Sequence, residues 1–196
     1  MLTRYLPTGK RFSTLPQTFM IMSVDPGSKN FGFRIEKRSK NKIETIVMEL
    51  LDIREDNMHQ MIMAVTNMLD KLFWLLSLCH LFVIEGQISK LNPSMTILSQ
   101  HLFTYLILRL EKSALDPIIY NIHSQCVKRY FKIPKGMGKA VKEPIKEIAV
   151  KILEKGQDKK GQEKYNKMKE AYLEHFADTI VMAEAVCSIE GYVTIL

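Results

Sequence analysis

The sequence predicts an α/β fold: a mixed five-stranded sheet, three antiparallel strands followed by two parallel ones, flanked by helices. Three observations predict it. Residues 18–53 hold three runs of strand character separated by short turns, the pattern of an antiparallel meander. A fully apolar run at 81–84 and a mainly apolar one at 118–122 follow, too short for helices and set apart by long stretches of helical periodicity. The resulting order βββαβαβαα closes through right-handed crossovers, which puts the fourth strand parallel to the first and beside it.

Residues 1–17 carry Arg4, Lys10 and Arg11 with no acid and read as a basic flexible tail before a domain over 18–196. Pro7 and Pro16 argue against a continuous amphipathic targeting helix. The first strand, 18–24, ends on Asp25-Pro26-Gly27. Residues 31–38 alternate as a second strand, 39–42 turn, and 43–53 form the third. Asp56 or Asn57 then caps a helix in which Met58, Met61, Ile62, Val65, Leu69, Leu72 and Leu76 keep the i, i+3, i+4, i+7 rhythm as far as Cys79. One face of that helix is core, and its methionines read as packing residues.

The apolar run 81–84 ends, like the first strand, on a carboxylate, Glu85. Asn92-Pro93 opens a helix to about Lys112. It is apolar on two sides: Met95, Leu98, Leu102 and Tyr105 on one, Ile97, Ile107 and Leu108 towards another. The second side suits either a partner subunit or full burial within the domain. Asp116-Pro117 breaks the helix before the fifth strand at 118–122. Residues 123–138 read as irregular and basic, 141–155 as a helix, 156–161 (Gly-Gln-Asp-Lys-Lys-Gly) as an exposed polar loop, and Gln162 or Tyr165 to Ile189 as the last helix.

Hydrophobic content of 46% over 196 residues is that of one globular domain. The longest apolar run, 72–84, is interrupted by Ser77 and His80 and is shorter than the roughly 20 residues a membrane span needs. Cys79, Cys126 and Cys187 are far apart, odd in number and free of any Cys-x-x-Cys pairing, which argues against a disulfide framework and a zinc site and suits a reducing, intracellular compartment. The net charge of +7 is uneven: residues 121–170 carry fourteen Lys or Arg against six acids. A polyanion, and nucleic acid foremost, is the expected partner; the plain alternative is a basic surface kept for solubility.

Against this basic background stand a few acids in costly places. Asp25 and Glu85 end neighbouring central strands, where open α/β sheets build their sites. His175 and Asp178 sit at i and i+3 on the last helix and share a face, and small Ala177 and Ala183 allow that helix close to the sheet. Taken alone, Asp178 would be a surface helix residue. Gathered together, these side chains repel unless divalent cations lie among them, and their oxygen-rich set suits Mg²⁺ or Mn²⁺. Two such ions would clamp an in-line phosphoryl displacement, with Asp25 as the bridging ligand.

Val24-Asp25-Pro26-Gly27-Ser28-Lys29-Asn30-Phe31-Gly32 resembles the first motif of RuvC-type Holliday junction resolvases. Ile84-Glu85-Gly86-Gln87 with Asn92-Pro93-Ser94 resembles the second, and His175-Phe176-Ala177-Asp178-Thr179 the helical motif that closes the site. Lys29-Asn30 is most similar to the resolvases of poxviruses and related large DNA viruses. The resemblance implies an RNase H-like fold and a homodimer that cuts four-way branched DNA by paired, symmetric hydrolysis leaving 5′-phosphate and 3′-OH ends. It implies two Mg²⁺ (or Mn²⁺) ions per site, held by Asp25, Glu85, Asp178 and His175, and it assigns Lys142 to the family's lysine at the scissile phosphate, with Lys139 and Lys146 as rivals.

DNA contacts are expected from Lys29, Lys128, Arg129, Lys132, Lys135, Lys139 and Lys146. The chain departs from the family pattern in carrying His175 where many members have Asp; His175 is expected to ligate metal or to orient the attacking water. It also lacks the base-stacking aromatic after the glutamate, Ile88 standing near that place, and Tyr130 or Phe131 would stack instead. Two alternatives remain: a YqgF-like RNase H-fold nuclease acting on RNA, and a non-catalytic junction-binding module. A viral origin would place the protein in the cytoplasm at the site of replication, in preference to a mitochondrion.

Overall fold

A computed structural model describes residues 2–6, 15–87, 92–134 and 139–196, the side chains of residues 139 and 140 excepted. The described elements are β1 (Leu2–Tyr5), β2 (Thr18–Asp25), β3 (Phe31–Ser39), β4 (Lys42–Leu51), α1 (Met58–Leu76), β5 (Leu81–Glu85), α2 (Pro93–Leu110), β6 (Ile118–Ile122), α3 (Ser124–Tyr130), α4 (Lys139–Lys155), α5 (Lys159–Asn166) and α6 (Glu170–Ile189). The sheet has the order β1-β6-β5-β2-β3-β4. β2, β3 and β4 form the antiparallel meander, and β5 runs parallel to β2 with Val24 opposite Ile84. That register sets the last residue of β2, Asp25, level with the last residue of β5, Glu85.

The sheet has six described strands where the sequence predicts five. Residues 2–5, expected within a flexible tail, pair antiparallel with β6, from Leu2 opposite Ile122 to Tyr5 opposite Ile119. The outer edge of β6 would otherwise expose a row of unpaired N–H and C=O groups, and the extra strand covers it. Four residues without a pronounced alternation give no strand signal of their own. Residues 7–14 lie outside the described residues.

Successive strand residues point to opposite faces, which divides the core in two. Met22, Val24, Phe33, Ile35, Phe82 and Ile84 pack under α1 and α2. Ile21, Val83 and Tyr120 pack with residues of α4 and α6 such as Ile152, Ile180 and Ala183. Asn57 caps α1 by accepting from Gln60 N–H at 3.0 Å, and Asn92, ahead of Pro93, caps α2 by accepting from Met95 N–H at 3.3 Å. α2 buries Met95, Leu98, Leu102 and Tyr105, while Ile97 is 45% and Leu108 67% exposed. α1 adds Trp74, 65% exposed. No helix among the described residues is long and apolar enough to cross a membrane.

Three expectations for the C-terminal half are corrected. Residues 124–130, read as irregular, form the short helix α3. The last helix is two helices, α5 and α6, separated at 167–169. The supposedly exposed loop 156–161 is an anchor: Gly156, Asp158 and Gly161 are buried. The physical reason lies on β3, whose Arg34, Glu36 and Arg38 all face inward and are fully buried. Asp158 accepts from Arg34 Nη2 at 2.8 Å, from Thr45 N–H at 3.0 Å and from Gly161 N–H at 2.9 Å, capping α5. Arg34 and the Thr45 hydrogen bonds outweigh burial and hold the Asp158 carboxyl below its ordinary range. A Cβ at Gly161 would lie 2.4 Å from the Asp158 carboxylate, so glycine is what lets the cap close.

Candidate active site

β2 delivers Asp25 from a largely buried strand to a turn that must reverse sharply into β3. Gly27 makes this possible: a Cβ there would lie 2.7 Å from the Asn30 carbonyl oxygen. Ile53 N–H donates to Ser28 O at 2.9 Å and ties the turn to the chain leaving β4. Asp25 is only 8% exposed, and its Oδ2 lies 2.8 Å from His175 Nδ1. On the other edge of that ring, Nε2 lies 2.9 Å from Asn30 Nδ2. Asp25, Asn30 and His175 therefore form one hydrogen-bonded chain from the first strand's tip to α6.

Glu85, at the end of β5, accepts from Gln87 Nε2 at 3.0 Å. Burial, and then the Asp25 and Asp178 carboxylates, push its carboxyl well above the ordinary range, against the opposing bond from Gln87. Asp178 is pushed up to about 7, first by burial and then by Asp25, with His175 and Lys128 working the other way. His175 is raised from its ordinary value, chiefly by its hydrogen bond to Asp25. The four side chains expected to converge, Asp25, Glu85, His175 and Asp178, are thus electrostatically one cluster.

This donor set fits a divalent cation. Three carboxyl groups so close that two of them are pushed above the ordinary carboxylate range lack positive charge, and a cation supplies it. Asp25, Glu85 and Asp178 offer hard oxygen ligands, and His175 an imidazole. Among the described residues, however, no three His, Cys, Asp or Glu side chains are already closed around one point as metal ligands. His175 is turned to Asp25 instead.

The remaining expected residues divide by position. Lys142 on α4 pairs with Glu174, which stands one residue before His175 and whose Oε1 lies 3.8 Å from His175 Nε2. Lys142 therefore borders the acidic cluster. Its rival Lys146 is held by Glu143 at 3.2 Å and by Glu170, a turn away from the cluster. Lys128 on α3 is close enough to act on Asp178. Arg129 and Lys132 are exposed at the end of α3, and Lys29 is exposed in the turn after Asp25. Tyr130 is exposed and packs edge-on against Phe131 at 4.7 Å. Lys135, the Lys139 side chain and residues 88–91, with Ile88, lie outside the described residues. Asn30 and Gln87, present in the sequence only as parts of motifs, and Glu174, beside His175, join the site without a role having been expected of them.

A pH-dependent response to cations follows. Between Asp178's ordinary 3.8 and its folded value of about 7, the folded protein holds a proton that the unfolded chain has released. Stability therefore falls as pH rises across that window. The raised Glu85 acts in the same sense, and so does His175, whose stabilising contribution is complete below its ordinary value and lost as pH rises through its folded one. A cation takes the protons' place. Mg²⁺ is expected to raise the melting midpoint by roughly 3–6 °C at about pH 8 and far less at about pH 5. Asp178→Asn is expected to raise the metal-free midpoint at the higher pH and to blunt the Mg²⁺ response. Differential scanning fluorimetry checks both; equal Mg²⁺ shifts at the two pH values would count against a cation among these carboxylates.

Residues 21–165 match the model of the family described as crossover junction endodeoxyribonuclease RuvC. No curated protein sequence matches the chain. Among solved structures it is similar to Thermus thermophilus RuvC in complex with a Holliday junction substrate, at 12% identity and a TM-score of 0.56, covering 91% of this chain and 99% of that one. It is similar to the yeast mitochondrial Holliday junction resolvase at 18% identity and a TM-score of 0.60, covering 84% and 77%. It is also similar to fowlpox virus resolvase in complex with Holliday junction DNA, at 18% identity and a TM-score of 0.56, covering 88% and 97%. At these identities the likeness shows a shared fold.

Proposed function

The chain belongs to the crossover junction endodeoxyribonuclease RuvC family, and from that premise we propose that it is a structure-selective endonuclease that resolves four-way DNA junctions by paired, symmetric hydrolysis, leaving 5′-phosphate and 3′-OH ends. The observation that carries this reading is the convergence of Asp25, Glu85, Asp178 and His175 at the C-terminal ends of β2 and β5. Asp25, Glu85 and Asp178 would hold two Mg²⁺ or Mn²⁺ ions, with His175 as a further ligand or as the group that orients the attacking water. When bound, the ions supply Lewis acidity and charge neutralisation at the scissile phosphate.

The chain's own residues do the rest. Asp25 anchors the centre because it comes from the middle of the sheet and acts on both other acids. Lys142, beside the cluster, offsets charge developing on the phosphate once that phosphate competes with Glu174 for it. Lys29, Lys128, Arg129 and Lys132 grip backbone phosphates without reading sequence, which makes binding strongly salt-dependent. Selection of a junction comes from its shape and deformability. Symmetric incision needs two like sites across a two-fold axis, and the exposed Ile97 and Leu108 of α2, with Trp74 of α1, are the apolar surface on which a second copy would dock. Free Cys79, Cys126 and Cys187 suit a reducing, intracellular compartment.

The deciding experiment incubates purified protein and Mg²⁺ with an immobile four-way junction, a linear duplex and an RNA duplex of matched length. Paired nicks at symmetric positions of the junction alone are expected. Equal cutting of the linear duplex removes the junction assignment, and preferential cutting of RNA favours the RNA-nuclease alternative.

A further inference from the structure

Between the first turns of α6 and the last residues of β4 lies a groove of about 460 Å³, within the roughly 300–1,000 Å³ of small-ligand pockets. Its walls are apolar: Met48 and Leu50 from β4, Met168 from the turn before α6, and Tyr172 and Phe176 from α6 itself. Phe176 is fully buried, whereas Tyr172 is half-buried and keeps part of its surface open. Tyr172 stands three residues before His175 and four before Phe176, so the three share one stripe of the helix. At its other end the groove is lined by Asn30, whose side chain reaches His175 Nε2 at 2.9 Å. The groove therefore opens directly beside the Asp25 cluster.

Its rim is positive. Lys29 is exposed there and acts on Asp52, whose carboxylate is already engaged by Arg54 Nε at 2.9 Å. Lys164 Nζ, donating to Met48 O at 3.3 Å, adds a cation along the strand. Glu49 pairs across the ladder with Phe33 and so shares the sheet face under α1 and α2, away from Tyr172. An occupant must combine a flat apolar body with an anionic handle that reaches the cluster. A nucleobase has both, its handle being its own phosphate.

We infer that this groove takes one unstacked nucleobase of the branched substrate, from a nucleotide adjoining the scissile phosphate, with Tyr172 as the surface on which it stacks and Lys29 on its phosphate. The inference deepens the nuclease reading and rests on it. It also supplies selectivity. In continuous duplex such a base must first leave its pair and its stack, whereas at a branch point both are already interrupted, so the groove favours a junction over linear DNA.

The test removes base and ring separately and together. Native protein, Tyr172→Leu and Tyr172→Phe are titrated against four-way junctions that carry one abasic site at successive positions around the branch point, in Ca²⁺ so that binding is read without cleavage. At one position the abasic site is expected to weaken native binding about tenfold, and Tyr172→Leu to weaken binding of the intact junction by about the same factor. Combined, the two are expected to weaken binding no more than either alone, as partners in one contact do. Tyr172→Phe keeps the ring and is expected to bind as the native protein does. Met168→Trp fills the groove from another wall and is expected to reproduce the Tyr172→Leu result, so the outcome does not depend on the fold of one variant. Losses that multiply independently at every position overturn the inference, as does a Tyr172→Phe as weak as Tyr172→Leu. A Tyr172→Leu that weakens self-association of the DNA-free protein, with junction binding intact, makes the groove a protein contact and overturns it too. The two readings fail separately: coupling at one position in a native protein that cuts no junction in Mg²⁺ overturns only the nuclease reading.

Discussion

Asp25→Asn is expected to lower single-turnover cleavage of a four-way junction by at least about a thousandfold while leaving junction affinity within about threefold of native. The substitution keeps the shape of the side chain and removes its charge. What is lost is the anionic oxygen at the hub of the cluster, the one acid that acts on Glu85 and on Asp178 alike and that receives the His175 ring. What remains is the basic surface, from Lys29 to Lys132, on which phosphate binding depends. The same argument makes the loss specific. With Asp25 neutral, its repulsion of Glu85 and of Asp178 is gone, so the metal-free protein should melt no lower than native, and the inactivity cannot be ascribed to unfolding. Cleavage on denaturing gels, binding on native gels in Ca²⁺ and a melting curve separate these terms. Near-native cleavage by Asp25→Asn would remove Asp25 from the catalytic centre.

Much of this site was legible because it rests on local signals with strong physical causes. An apolar run that stops at a carboxylate marks a strand tip, and crossover handedness makes the two such strands neighbours, as β2 and β5 are. The i, i+3 spacing of His175 and Asp178 needs only a helix. Asn30 was visible as part of a motif, but its bond to His175 spans nearly the whole chain, and no periodicity reports a contact of that separation.

β3 shows a different limit. Phe31, Phe33 and Ile35 alternate with Arg34, Glu36 and Arg38, the pattern of a strand with one wet face. Both faces are in fact covered, and the polar one is neutralised inside the protein by residues from 158 and 184. For the same reason Gly-Gln-Asp-Lys-Lys-Gly looked like solvent-exposed loop: composition reports the polarity of Asp158 and not the buried arginine that awaits it.

That internal network carries the second large effect. Arg38→Met is expected to destabilise the protein by about 3–5 kcal/mol, a large share of the roughly 5–15 kcal/mol that holds a domain folded. Arg38 Nε donates to Glu36 Oε1 at 2.9 Å, and Nη1 donates to Glu184 Oε2 at 2.5 Å. Burial works against the guanidinium's charge, yet the Glu36 carboxylate beside it holds its pKa above the ordinary value. Methionine fills most of the volume but leaves the buried Glu184 without its cation and Glu36 with Arg34 alone, and that is the costly outcome. Adding Glu184→Gln should recover part of the loss, since glutamine still accepts from the Ile195 and Leu196 N–H groups, which Glu184 Oε1 now receives at 2.7 and 2.8 Å, without a buried charge. Urea unfolding of the native protein, the single variant and the pair measures the coupling; a single-variant cost under about 1 kcal/mol would show that the network is not a fixed part of the core. Its consequence reaches the active site, because Glu184 lies on the helix that carries His175 and Asp178. Pinning Glu184 to β3 sets the height of α6 against the strand tips, so cleavage by Arg38→Met should fall even at temperatures where the variant is fully folded.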